Sequence, residues 1–102
     1  MEQPTEQTID NIGLNTPRPN KYKVVLHNDD HTPMEFVIEL LINVYNHNQS
    51  SAEEVTLHVH NEGKGVAGIY YYEIAEQKGI EVTVDARSHG YPLQIKLEED
   101  PG

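Results

Sequence analysis

At 102 residues, with 17 acidic against seven basic side chains and a formal net charge of −10, the chain is the size of one domain, and its charge excludes sequence-independent binding to nucleic acid or an anionic membrane. The absence of cysteine excludes a disulfide framework and a thiolate metal site. No run approaches transmembrane length, and Met1-Glu2-Gln3-Pro4 lacks the basic start and apolar segment of a secretory signal, so the expected location is the cytoplasm.

Residues 1–20 carry three prolines, many Asn, Gln and Thr, and isolated Ile9, Ile12 and Leu14 without sustained periodicity. This composition predicts a flexible N-terminal arm (1–20) ahead of a folded domain (21–102). From Lys21 to Leu26 the β-branched-rich run around Val24 and Val25 predicts a strand. The polar stretch His27-Asn28-Asp29-Asp30-His31-Thr32-Pro33-Met34 then leads into a helix expected from about Pro33 to Tyr45. Thr32, Pro33 and Glu35 have the pattern of a capping box, with the threonine hydroxyl accepting from a free helix N–H and the glutamate reaching back. The helix is apolar around much of its circumference and is therefore expected to be largely buried.

Asn46 to Ser50 breaks that helix. Ser50 or Ser51, each followed three residues later by an acid at Glu53 or Glu54, is the expected cap of a second helix that stops at Gly63. On it Val55 and Val59 share one face, and Thr56 and His60 form the adjacent row, so that the latter two can look at one ligand. Val66 to Tyr70 predicts a second strand. The glycines at 63, 65 and 68 lack the terminal Lys-Ser/Thr of a phosphate loop and are expected to mark a flexible turn. Glu73 to Lys78 is helical in pattern. Ile80 to Val84 is ambiguous, alternating like a strand yet continuing that helix, with Gly79 weakening the helical reading by about 1 kcal/mol. After the turn His89-Gly90-Tyr91-Pro92, Leu93 to Leu97 alternates as a half-buried strand. Three strands and three helices without regular alternation predict a single small α+β domain with a three-stranded antiparallel sheet.

Three chemistries compete for the polar residues. Six histidines, among them His27 and His31 beside the aspartates and His58-x-His60, could serve a divalent metal, but residues two apart on a helix do not face one another. Asp29 and Asp30 could act as acid and base with His60, but adjacent turn residues point apart and no nucleophile is recognisable. The third is binding: Asn28, Asp29 and a neutral histidine supply acceptors at the edge of an apolar hollow lined by Met34, Val37, Val59 and Leu93, a combination suited to an ammonium carried on a hydrophobic group. Asn-Asp-Asp is equally what a turn prefers for its own backbone, so the same residues have a purely structural reading.

Tyr22-Lys23-Val24-Val25-Leu26, Asn28-Asp29-Asp30-x-Thr32-Pro33-Met34-Glu35-Phe36-Val37, Leu57-x-Val59-His60 with Gly63-Lys64, Gly68, and Glu73-Ile74-Ala75-Glu76-x-Lys78 together resemble the ClpS family, in order, over about residues 21–98. The resemblance implies the order β-α-α-β-α-β, with helix over roughly 71–88, and an adaptor of the N-end rule pathway that is not an enzyme and needs no cofactor. It would hold substrates by an N-terminal Leu, Phe, Tyr or Trp and deliver them to a Clp AAA+ unfoldase as a monomer. By resemblance, Asn28, Asp29 and His60 hold the substrate's α-amino group, Leu26, Thr32, Met34, Val37, Thr56, Val59 and Leu93 shape the side-chain pocket, and Glu73 and Lys78 dock the unfoldase's N-terminal domain. Thr56 stands where many members have methionine, which predicts a roomier or more polar rim and puts exclusion of Ile and Val in doubt. Tyr71-Tyr72 departs from a more usual threonine, at the expected unfoldase contact. The residues alone also fit a regulatory interaction module that docks on a partner without reading its N-terminus.

Overall fold

The structure, a computed structural model, describes residues 20–101; the arm expected over 1–20 lies outside these apart from Asn20. The elements are β1 (Lys21–His27), α1 (Met34–Asn43), α2 (Gln49–Glu62), β2 (Lys64–Tyr71), α3 (Tyr72–Ser88) and β3 (Gln94–Asp100). β1 is the centre of an antiparallel sheet of order β2-β1-β3. Alternation along β1 sends Val24 and Leu26, both fully buried, into a core shared with Leu40 and Leu41 of α1, Ala52 of α2 and Val82 of α3. All three helices therefore lie on one side of the sheet.

The turn and caps differ from the sequence expectation. Thr32 does not cap α1: its hydroxyl donates to Asp29 Oδ2 at 2.8 Å, Pro33 occupies the N-cap itself, and no side chain caps that end. The competing acceptor won because Asp29, three residues upstream, already curls the chain back on itself. Nor does Ser50 or Ser51 cap α2. Asn48 takes that place in extended conformation, its side chain accepting from Ser51 N–H at 2.8 Å. Among several polar candidates in one run, backbone conformation decides which side chain caps.

The glycine-rich stretch is strand rather than flexible turn. Only Gly63, at φ 93°, uses left-handed backbone, closing α2 as expected. Gly65 is buried inside β2, where a Cβ would come within 2.8 Å of Val59 Cγ2. The absence of a side chain thus lets α2 lie directly on the strand. Between Val24 and Val25 the register of β1 with β2 slips, leaving Ala67 as an extra residue between Gly68 and Val66. The bulge frees a carbonyl in the interior, and His47 supplies its partner: Nε2–H donates to Ala67 O at 2.7 Å, while Nδ1 accepts from Ser51 Oγ at 2.9 Å. One imidazole ties the α1–α2 connection, α2 and β2 together.

Ile80 to Val84 resolves as helix. Ala75, Gly79, Val82 and Ala86 are the buried residues of α3, spaced four, three and four apart, which is a helical stripe. The more hydrophobic Ile80 and Val84, which gave the appearance of strand alternation, are 58% and 64% exposed.

A carboxylate turn at the end of a helix

Asp29 organises the connection from β1 to α1. Its Oδ1 accepts from the backbone N–H groups of His31 and Thr32, both at 2.7 Å, and its Oδ2 from the Thr32 hydroxyl. These bonds occupy three of the roughly four acceptor positions of a carboxylate, leaving one for another donor. Partial desolvation opposes ionisation, but the backbone bond from His31 and the bonds from Thr32 outweigh it and hold the carboxyl below its ordinary value. Asp29 is an anion throughout the neutral range.

The turn is fastened to α2 through the main chain. Asn28 N–H donates to Gly63 O at 2.9 Å. Gly63 is the C-cap of α2, so the carboxylate turn meets the negative end of that helix, where free carbonyls and the macrodipole favour a cation. His60 sits in the last turn of the same helix. Asn28 and His60 are exposed and Asp29 is partly so, all at one end of the sheet. The Gly63 carbonyl's part in this is not legible in the sequence, because a backbone acceptor leaves no side-chain signature.

The expected pocket residues divide by burial. Leu26, Val37, Val59 and Leu93 are all at or below 6% exposure and belong to the core, whereas Met34, one turn ahead of Val37, is 39% exposed. Thr32, within the turn, is partly buried. Thr56 is buried and its hydroxyl donates to Ala52 O at 2.7 Å, within α2. The hydroxyl proton expected to make the rim more polar is thus engaged within α2 itself.

Glu73 is exposed in the first turn of α3, but Lys78 is not a free surface cation. Its ammonium donates to Val44 O at the C-cap of α1, at 2.7 Å, and lies 5.2 Å from the centre of the Tyr70 ring. No group of three or more candidate metal ligands occurs among the described residues. A cavity of about 270 Å³ lies away from all the expected pocket residues, between α3 and β3, lined chiefly by Ile80, Val84, Ile95 and Leu97. The i, i+4 pair of exposed apolar residues on α3 was its only trace in the sequence.

Three helices on one side of a three-stranded antiparallel sheet, with an anionic turn at one end of it, define a small α+β domain. The chain belongs to the ClpS family, whose model, described as "ATP-dependent Clp protease adaptor protein ClpS", matches residues 17–96. It is accordingly an adaptor of the Clp protease system and not an enzyme. The Clp protease adapter protein ClpS of Clostridium acetobutylicum is 51% identical over 82 residues, covering 80% of this chain and 81% of that one. Its counterpart in Rhodospirillum centenum is 48% identical over 85 residues, covering 83% and 79%. Among solved structures, Agrobacterium tumefaciens ClpS2 bound to L-phenylalaninamide superposes with a TM-score of 0.78 at 36% identity, covering 81% of this chain and all of that one.

Proposed function

We propose that this adaptor binds the free α-amino group and bulky side chain of substrates beginning with Leu, Phe, Tyr or Trp, and delivers them in the cytoplasm to a Clp AAA+ unfoldase. The observation that carries the reading is the meeting of an ionised Asp29 with the carbonyl end of α2 beside Asn28 and His60. An N-terminal ammonium donates to the remaining acceptor of Asp29, to the Asn28 amide oxygen and to a neutral His60. The attached side chain passes Met34, a flexible and partly exposed gate, toward Leu26, Val37, Val59 and Leu93, with Thr32 and Thr56 at its flanks. The ligand held by the Agrobacterium relative has this chemistry, a free amine next to a benzyl group.

Unfoldase docking is assigned to the start of α3, where Glu73 is free to contact a partner. Lys78, partly exposed and bonded to Val44 O, is assigned to the same docking surface. An ammonium bonded to a carboxylate contributes roughly 1.5–3 kcal/mol and a buried Leu or Phe side chain a similar amount, which after association entropy leaves affinity in the micromolar range. An adaptor that must release its cargo needs no more.

The test is fluorescence anisotropy with one peptide carrying Phe, Leu or Ala at its N-terminus, each free or acetylated. Free Phe and Leu peptides should bind and every other form should fail. Equal binding of Phe and acetyl-Phe peptides would defeat this reading in favour of a docking module indifferent to the N-terminus.

A further inference from the structure

The side of the sheet that the helices leave bare is charged oppositely to the rest of the chain. In the register Lys21, Lys23 and Val25 of β1 stand opposite Asp100, Glu98 and Lys96 of β3 and opposite Tyr71, Ile69 and Val66 of β2, with His27 opposite Lys64. Residues opposed in a ladder point to the same side, and the alternating Val24 and Leu26 face the core, so this set faces away from the helices. One face thus gathers Lys21, Lys23, Lys64 and Lys96, four of the seven basic residues, against Glu98 and Asp100, two of the 17 acids. Among these lysines lie Val66, Ile69 and Tyr71, 40%, 46% and 53% exposed.

We propose that the bare sheet face docks an acidic protein segment, one presenting Asp or Glu side chains around a few apolar residues. The argument is charge complementarity: four lysines against two acids, with Lys64 and Glu98 3.7 Å apart, stand around the buried Val25 and the exposed apolar residues of β2, on a chain that is otherwise acidic. The same contrast favours a short protein segment over a nucleic acid. The face measures only about 20 by 10 Å from strand rise and spacing, and a polyphosphate running past it meets the carboxylates of the helices. So small a contact lies below the size of stable interfaces and is transient.

The probe is a short N-acetylated peptide in which Glu alternates with Leu and Tyr, titrated into the full chain and followed by ¹H–¹⁵N correlation spectra. Acetylation removes the free amine, so failure here leaves the reading of the Asn28–Asp29 site untouched. Shifts should concentrate at Lys23, Val66, Ile69 and Lys96. The double substitution Lys23→Glu with Lys96→Glu, checked for folding by circular dichroism, should weaken binding about tenfold, and salt should weaken it in the parent chain. Absence of shifts at millimolar peptide, shifts centred on the helices, unchanged affinity in the double variant, or equal binding of a single-stranded oligonucleotide would each overturn the proposal. Binding that emerges only after deletion of residues 1–19 would overturn it too, assigning the face to the chain's own N-terminal segment.

Discussion

Asp29 shapes the turn and charges it with the same carboxylate, and substitution can separate the two. Asp29→Ala removes three hydrogen bonds and is expected to cost about 1 kcal/mol at neutral pH, allowing for solvent at a partly exposed group. Because the folded-state value is depressed, that contribution is fully present above the unfolded value near 3.8 and fades as pH falls through the lower folded one. Denaturant midpoints should therefore differ between parent and variant at neutrality and converge toward the acid limit of folding. Asp29→Asn keeps one oxygen for the backbone bonds but loses the charge, so amine binding should fall by roughly 1.5–3 kcal/mol while stability falls less. Equal affinity for a free Phe peptide would remove Asp29 from the site. Thr56 allows a second separation. Since its hydroxyl serves Ala52 O, Thr56→Val should leave the ranking of Phe, Leu, Ile and Val peptides unchanged in competition binding, at a stability cost of about 1 kcal/mol for the lost bond.

Two glycines make opposite predictions at the level of elements. Gly65→Ala drives a methyl to 2.8 Å from Val59 Cγ2 and 3.3 Å from His58 Cδ2, wedging α2 off β2, and should cost about 1–3 kcal/mol. Gly79→Ala meets only Ile95 Cγ2 at 3.6 Å, an ordinary contact, and removes a helix-weakening residue, so it should stabilise by about 0.5–1 kcal/mol. Thermal unfolding of both variants checks the pair, and a stabilised Gly65→Ala would contradict the close approach of helix and strand. These positions also mark how far the sequence could be read. β1, β3 and the stop at Gly63 were legible because periodicity and turn chemistry agree there. Gly65 was misread as turn because a residue omitted for lack of space looks like one chosen for flexibility. The stripe on α3 was legible only in part: Ala75 and Val82 can be placed on one helical face from their spacing, but Gly79 and Ala86 carry little hydropathy, and Ile80 and Val84 advertise a periodicity that packing ignores. Asn28, Asp29 and His60 were nameable, though the bond from Asn28 N–H to Gly63 O that fastens the turn to the end of α2 depends on the tertiary fold.

At the scale of the whole molecule the charge is polarised, and this bears on which substrates arrive. From Asn28 to Gly63, the stretch that builds the turn, α1 and α2, there are seven carboxylates and no lysine or arginine. Four of the five lysines collect instead on the far side of the sheet. An incoming chain terminus with its ammonium is drawn toward the acidic side, and so are any cations that follow it. Substrates with Lys or Arg just behind an N-terminal Phe should therefore bind faster and more tightly than those with Glu there, although no added side chain enters the pocket. The difference is long-range and should shrink as the Debye length falls from about 10 Å at 0.1 M salt to about 3 Å at 1 M. Stopped-flow association of otherwise identical Phe peptides measures it directly. A preference that survives molar salt would instead locate a specific contact, with the carboxylates of α2, Glu62 nearest the turn among them, the first place to look.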